Sequence, residues 1–118
     1  MIIYHNPGCS KSRRALSMIL ESGIEPTIIE YLKTPPSQSE LEQILIKLDM
    51  QPEELMRKNE TCYQQLSPSI EASSRQEQIH LMITNPILIE RPIVIKDEKV
   101  LIARPPEKIQ AWLTYAVG

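Results

Sequence analysis

Apolar and polar residues alternate in blocks along the first third of the chain, in an order that predicts a strand, a helix and a second strand. Residues 1–4 form an apolar run too short for a helix, and the run stops at the turn-forming Asn-Pro-Gly of residues 6–8. From Ser10 onward, apolar residues recur at helical spacing until Gly23, and the β-branched segment 27–31 follows. The crossover rule for β-α-β units makes the two strands parallel.

The middle third of the pattern is helical. Ser37 and Ser74 each stand three residues before a glutamate, which is the capping-box spacing, and apolar residues at helical intervals follow both of them. Pro52 suits the first turn of a further helix, which we predict to run through Arg57 or beyond. This part of the chain therefore predicts several helices without a strand.

The last third returns to strands. Residues 93–95 and 100–103 are short apolar segments separated by Asp97 and Glu98, which predicts an antiparallel hairpin. Two consecutive prolines at 105 and 106 then open a final helix with Ile109, Trp112 and Leu113 on its inner face. The predicted order is β-α-β, a helical segment, and β-β-α, with no internal repeat.

Composition limits the classes of function that fit. A chain of 118 residues suits one domain, and its net charge of −2 gives no support for binding to nucleic acid or to an anionic membrane surface. The first residues lack a secretory leader pattern, and no apolar run approaches the roughly 20 residues of a membrane span. We therefore expect a soluble cytoplasmic protein whose two cysteines are reduced.

Cys9 is the strongest candidate for a reactive residue, because it follows the Pro-Gly turn and precedes the first helix. A thiol attacks only as its thiolate, and the unpaired N–H groups of a helix start lower a thiol pKa. Lys11, Arg13 and Arg14 add positive charge nearby in the sequence. These features favour a reactive thiol over the alternative, a buried cysteine that acts only as a small apolar residue.

The spacing of residues around Cys9 can be compared with that of other known cysteine sites. A phosphatase-type loop needs an arginine six residues after its cysteine, but Ala15 stands there and Arg14 comes one residue too early. A redox dithiol needs a second cysteine at position 12, which is Ser12. A zinc site needs close ligand pairs, whereas Cys62 and His80 are far in the sequence from each other and from Cys9. The resolving thiol for Cys9 must therefore be Cys62 or belong to another molecule.

Four segments together resemble the glutaredoxin-linked arsenate reductase family. They are HNPGCSKSR at 5–13, LMRKNE at 55–60, NPILIERPIV at 85–94 and LIARPPE at 101–107, and the resemblance covers nearly the whole chain. The first and third segments are the most specific.

The resemblance implies an α/β, thioredoxin-like fold. This fold has a mixed four-stranded sheet and an inserted helical segment in a three-layer α/β/α arrangement. A single domain would span 1–118, with a thioredoxin-like core of roughly 1–34 and 86–118 and a helical insertion of roughly 35–85. Thioredoxin-like folds place a cis-proline opposite the thiol, so we predict that the Arg91-Pro92 bond is cis.

The family resemblance also implies a set of site residues, none of which is a metal ligand. The cysteine matching Cys9 is the nucleophile, and the residues matching His5 and Ser12 help to keep it ionised. Guanidinium groups suit an oxyanion because they stay protonated and form bidentate hydrogen bonds. In the family, three arginines hold the oxyanion, and they match Arg57, Arg91 and Arg104.

The implied reaction is the reduction of arsenate to arsenite through a bond between the Cys9 thiolate and arsenic. Glutathione would be the co-substrate and glutaredoxin the protein partner, with no bound cofactor, and we expect a monomer. One alternative is a transcription regulator of the Spx type that binds RNA polymerase, although Ser12 argues against the dithiol usual in that group. Another is a thiol-redox protein that acts on a different substrate, because an oxyanion cradle does not identify its oxyanion.

Overall fold

The computed structural model describes the backbone of residues 1–117 and the side chains of residues 1–113. The chain divides into two compact units, one made of Met1–Tyr31 with the segment from Arg91 onward, the other of Leu32–Glu90. The boundaries predicted for the helical insertion were near residues 34–35 and 85–86. Among the described residues, no helix is both long enough and apolar enough to cross a membrane.

The first unit is built on a mixed four-stranded sheet, as predicted. The strands are β1 (Ile2–His5), β2 (Thr27–Glu30), β3 (Ile93–Lys96) and β4 (Lys99–Ile102), in the spatial order β2-β1-β3-β4. Strand β1 is parallel to β2 and antiparallel to β3, and β3 is antiparallel to β4. The predicted hairpin is confirmed: Lys96 pairs with Lys99, and Asp97 takes a left-handed φ of 54°.

Two helices pack on the sheet of this unit. They are α1 (Ser10–Glu21), which connects the parallel strands, and α5 (Gln110–Val117), which follows a short 3₁₀ turn. Ile3 of β1 pairs with Val94 of β3, and both side chains are fully buried. They pack in one cluster with buried residues of the helices and their flanks: Ala15, Met18, Ile19, Ala103, Ile109 and Leu113. This core fixes α1 relative to the end of β1, where Cys9 begins the helix.

The second unit is helical, as the sequence predicts. Its helices are α2 (Gln38–Leu48), α3 (Thr61–Ala72) and α4 (Arg75–Thr84). Both predicted capping boxes are confirmed, because the Ser37 and Ser74 side chains accept from the backbone N–H of the glutamate three residues later.

The predicted helix from Pro52 through Arg57 is wrong. The segment forms only a 3₁₀ turn, Pro52–Leu55, and the next residue, Met56, makes an antiparallel bridge with Ile89. Arg57 donates its backbone N–H to Leu88 O at 2.7 Å instead of to a helical carbonyl. Pairing with a distant segment therefore replaces the local helical bonds, which the first-turn proline alone does not reveal.

Hydrogen bonds to side chains hold the turn between β1 and α1. Asn6 Oδ1 accepts the Gly8 N–H at 2.9 Å, and Ser12 Oγ accepts the Asn6 N–H at 3.0 Å. Ser12 Oγ also lies 2.7 Å from His5 Nδ1, and only 6% of His5 and none of Ser12 is exposed. The end of β1 is thus tied to the first turn of α1.

Burial lowers the pKa of His5 below its ordinary value, because an imidazolium loses hydration away from water. The negative charge of Glu30 opposes this effect, and the positive charge of Arg13 adds to it. His5 is therefore neutral near pH 7. Ser12 Oγ and His5 Nδ1 form one hydrogen bond, and the tautomer of the neutral imidazole sets which of the two atoms donates.

The depressed pKa of His5 predicts that mild acid destabilises the folded chain. As pH falls below about 6.5, the unfolded chain protonates this histidine before the folded chain does, so the free energy of unfolding decreases. We expect His5→Gln to flatten that decrease between about pH 7 and about 5.5, above the range where carboxylates titrate. The free energy of unfolding is measured at each pH by urea denaturation. The parent and the variant both carry Cys9→Ser, which removes titration of the Cys9 thiol.

The matched control is His80→Gln, at an exposed position of α4. This variant should keep the parent's slope of unfolding free energy against pH. Equal slopes in the parent and in His5→Gln would contradict the prediction.

Candidate active site

Cys9 is the N-cap residue of α1, so its sulfur lies at the positive end of the helix. Its backbone is extended, its carbonyl accepts the Arg13 N–H at 2.9 Å, and its own N–H donates to Asn6 O at 3.0 Å. The neutral thiol makes no strict capping hydrogen bond. A thiolate accepts more strongly, and the backbone N–H groups of Lys11 and Ser12 are close enough to stabilise it.

The pKa of the Cys9 thiol results from two opposed effects. Burial raises the pKa, because a thiolate is poorly hydrated in a partly buried position. Hydrogen bonds from the Ser12 N–H, the Arg91 guanidinium and the Lys11 N–H lower it, and the charge of Arg91 lowers it further. The lowering effects prevail, so the pKa lies below that of an ordinary cysteine and more thiolate is present at neutral pH.

Arg91 and Arg104 lie together in the first unit. The Arg91 guanidinium is close enough to the Cys9 sulfur to lower the thiol pKa through hydrogen bonding and through its charge. Arg104 Nη1 donates to the backbone carbonyl of Arg91 at 3.2 Å. Each arginine precedes a cis-proline: the predicted cis bond Arg91-Pro92 is confirmed, and Arg104-Pro105 is also cis. Two of the three predicted arginines are therefore linked to each other, and one of them contacts the thiol.

The basic residues next to Cys9 in the sequence do not act as predicted. Arg13 Nη1 donates to Pro7 O at 2.8 Å, and its charge acts on His5. Lys11 contributes its backbone N–H, whereas its side chain and that of Arg14 are exposed. Arg91, some 80 residues away in the chain, is the cation that favours the thiolate. Sequence proximity therefore pointed to the wrong positive charges.

Arg57 belongs to the second unit, where two glutamates bind it. Arg57 Nε donates to Glu60 Oε1 at 3.1 Å, and Nη1 donates to Glu90 Oε1 at 2.8 Å. Burial lowers the pKa of the guanidinium, but the two carboxylates raise it above its ordinary value. Neither glutamate was predicted as a partner of Arg57 from the sequence. Glu60 follows Arg57 by three residues, and this spacing could have predicted their ion pair. No local pattern in the sequence predicts the ion pair between Arg57 and Glu90.

Cys62 is the second free thiol and lies at the start of α3. Its sulfur is 3.8 Å from Asn85 Oδ1, and the side chain is partly buried. In the part of the chain that the structure describes, no group of three or more His, Cys, Asp or Glu side chains is arranged to hold a metal ion. The candidate reactive groups in this part of the chain are therefore the Cys9 thiol and the linked pair Arg91 and Arg104. Arg57, with its two glutamates, belongs to the other unit.

Known proteins resemble this chain along most of its length. The chain is 44% identical to the uncharacterized protein YfgD of Escherichia coli strain K12 over 108 residues, 91% of each chain. It is 42% identical to an Escherichia coli arsenate reductase over 107 residues, which is 91% of this chain and 76% of the relative. The solved structure of an arsenate reductase from Vibrio cholerae is 38% identical, with a TM-score of 0.87 over 93% of this chain and 94% of that one.

These matches confirm the thioredoxin-like fold of the arsenate reductases, to which the four-stranded sheet corresponds. The model of the ArsC family matches residues 4–112, a range that contains every candidate site residue from His5 to Arg104. The chain therefore belongs to the ArsC family, the family of the arsenate reductases.

Proposed function

We propose that this chain is a cytoplasmic, monomeric arsenate reductase that uses glutathione and glutaredoxin. The observation that carries the proposal is the environment of Cys9, whose thiolate is favoured by the start of α1 and by Arg91. A reductase of this type needs a nucleophilic sulfur beside a group that binds an anion. Family membership supports arsenate as the substrate.

The proposed substrate carries negative charge and several acceptor oxygens. Arg91 and Arg104 provide planar guanidinium groups, which bind such an oxyanion through charge-assisted hydrogen bonds. The same charge that stabilises the thiolate also offsets the charge that develops on the oxyanion as the sulfur attacks. Arg57 is the third arginine that the resemblance assigns to the oxyanion, and its role stays a prediction.

In the first step, the Cys9 thiolate attacks arsenic(V), forming a sulfur–arsenic bond and expelling a hydroxide that leaves as water. The glutathione thiol then forms a second sulfur–arsenic bond and displaces another water. A glutaredoxin thiolate attacks the glutathione sulfur, and the electron pair of that sulfur–arsenic bond passes to arsenic. This yields a glutathione–glutaredoxin disulfide and arsenic(III) on Cys9. Hydrolysis releases arsenite and restores the thiol.

Ser12 explains why the proposed reductants come from outside the chain. It occupies the position at which a dithiol protein has its second cysteine, and its hydroxyl is buried and bonded to His5 and to the Asn6 backbone. We propose that His5 and Ser12 act by holding the first turn of α1, so that the Ser12 N–H points toward the sulfur. Cys62 has no assigned part in this scheme.

Turnover of arsenate tests the proposal. NADPH consumption is followed with arsenate, glutathione, glutathione reductase and glutaredoxin. We expect the parent chain to turn over and Cys9→Ser to lose at least about 1,000-fold in kcat/KM, because it lacks the nucleophile. Arg91→Ala should lose about 100-fold or more, because it removes a charge from both thiolate and oxyanion.

Arg14→Ala is the matched arginine control, because Arg14 is exposed on α1 and outside the proposed machinery. It should stay within about twofold of the parent, as is usual for an exposed substitution. No turnover by the parent, with a reactive Cys9, would refute arsenate as the substrate. Turnover that survives Cys9→Ser would refute the mechanism.

A further inference from the structure

Asn6 makes three hydrogen bonds in the turn that leads from β1 to Cys9. Its side-chain Oδ1 accepts the Gly8 N–H at 2.9 Å, and its backbone carbonyl accepts the Cys9 N–H at 3.0 Å. Its own backbone N–H donates to Ser12 Oγ, also at 3.0 Å. This one residue is therefore bonded to Cys9, to the residue before it and to the first turn of α1, all within the first unit.

The side chain of Asn6 forms a smaller turn inside the backbone turn. The bond from the Cys9 N–H to the Asn6 carbonyl closes a four-residue turn, in which Pro7 has a restricted φ. The Oδ1 atom binds the N–H of the other central residue, Gly8, which is the arrangement of an Asx-turn. An ideal Cβ at Gly8 would lie only 3.3 Å from Oδ1, so the carboxamide packs closely against the turn. Each central residue of the turn is thus restrained.

This turn orients Cys9 toward the groups that favour its thiolate. Cys9 is the N-cap residue of α1, and the N–H groups of Lys11 and Ser12 lower its pKa together with the Arg91 guanidinium. Hydrogen bonds weaken steeply as their distance and angle depart from the optimum. These donors therefore act fully only while the backbone of Cys9 keeps the orientation that the turn gives it.

We propose that Asn6 is a positioning residue for the Cys9 nucleophile, because its carboxamide oxygen holds the turn that presents the sulfur to the start of α1. The inference deepens the proposed function, since it rests on Cys9 as the nucleophile, but it does not depend on arsenate as the substrate. Asparagine suits this position because its oxygen accepts the Gly8 N–H without a negative charge. An aspartate would make the same turn but would repel a thiolate three residues away.

The rate of Cys9 alkylation by iodoacetamide, measured against pH, tests this inference. Every protein in the series carries Cys62→Ser, so that one thiol reports. Asn6→Ala removes the acceptor for the Gly8 N–H, and the midpoint of its rate profile should lie about 0.5 to 1 pH unit above that of the parent. The plateau rate at high pH should stay within about threefold, because the thiol is fully ionised there in both proteins. An unchanged midpoint in Asn6→Ala would overturn the inference.

Ser22→Ala is the matched control for a general loss of stability. Ser22 Oγ donates to Ile19 O at 2.6 Å, at the end of α1 that is farthest from Cys9. This variant also loses one hydrogen bond between a side chain and the backbone, but the turn before Cys9 is untouched. We expect its midpoint to equal that of the parent. If Ser22→Ala raises the midpoint as much as Asn6→Ala does, the effect is one of helix stability, and the inference is overturned.

Asn6→Asp separates the effect of the acceptor from that of charge. Its carboxylate keeps an acceptor for the turn and adds a negative charge, so its midpoint should exceed that of the parent at low ionic strength. In about 1 M salt, where charges are screened beyond about 3 Å, this difference should shrink to about 0.2 unit or less. The difference for Asn6→Ala should persist, because this variant keeps every charged side chain, including His5, Arg13 and Arg91. If Asn6→Asp stays as far above the parent as Asn6→Ala in that salt, the acceptor oxygen does not position Cys9, and the inference is overturned.

Alkylation needs no arsenate, so this inference and the proposed function can fail separately. If the parent does not turn over arsenate but the midpoints are as expected, arsenate is refuted as the substrate and this inference stands. If the parent midpoint lies at the ordinary cysteine value, the activated thiol and the inference fail together. Where turnover is measurable, Asn6→Ala should lose about three- to tenfold in kcat/KM below the parent's midpoint, because it has less thiolate there. This loss should disappear at pH values above the midpoint of the variant.

Discussion

The proposed chemistry depends on how the protein stabilises one sulfur anion. Burial acts against the Cys9 thiolate, and the Ser12 and Lys11 N–H groups together with the Arg91 guanidinium reverse its effect. Those N–H groups have no carbonyl partner within the helix, because α1 starts at Ser10, directly after the turn that ends β1. The sheet, the helix and the turn thus serve to bring unpaired main-chain donors and one guanidinium to the same atom.

The arginines differ in how the chain restrains them. Arg91 contacts the sulfur, and Arg104 donates to the Arg91 carbonyl, so these two are coupled through the main chain of the first unit. Arg57 is restrained instead by Glu60 and Glu90, which accept hydrogen bonds from its guanidinium within the second unit. Arg91 therefore acts on the thiolate within the first unit, whereas Arg57 is held by carboxylates of its own unit.

Sequence reasoning succeeded where structure is determined locally. The turn at residues 6–8, the capping boxes at Ser37 and Ser74 and the hairpin at Asp97 are all set by residues a few positions apart. It failed where distant segments meet. Arg57 is not helical as predicted, because the preceding residue, Met56, bridges to Ile89. The bounds of α3 were not predicted, because only Ile70 of this helix is buried and Pro68 lies within it.

The same limit applies to the candidate site. Motif resemblance identified Cys9, Arg91 and Arg104, and the structure links these three, but adjacent basic residues misled the electrostatic interpretation. Glu90 lies 33 residues from Arg57, so no local pattern could reveal their ion pair. Partners of this kind depend on tertiary pairing, which a single sequence does not display.

The pH dependence of Cys9 alkylation tests the central claim most directly. In a Cys62→Ser background, so that one thiol reports, the alkylation rate of the parent should rise with a midpoint below the roughly 8.5 of an ordinary cysteine. Arg91→Ala should move that midpoint upward, and Arg91→Lys should move it less, because the charge is kept and the planar fork is lost. A parent midpoint at or above the ordinary value, or one that Arg91→Ala does not move, would contradict the account.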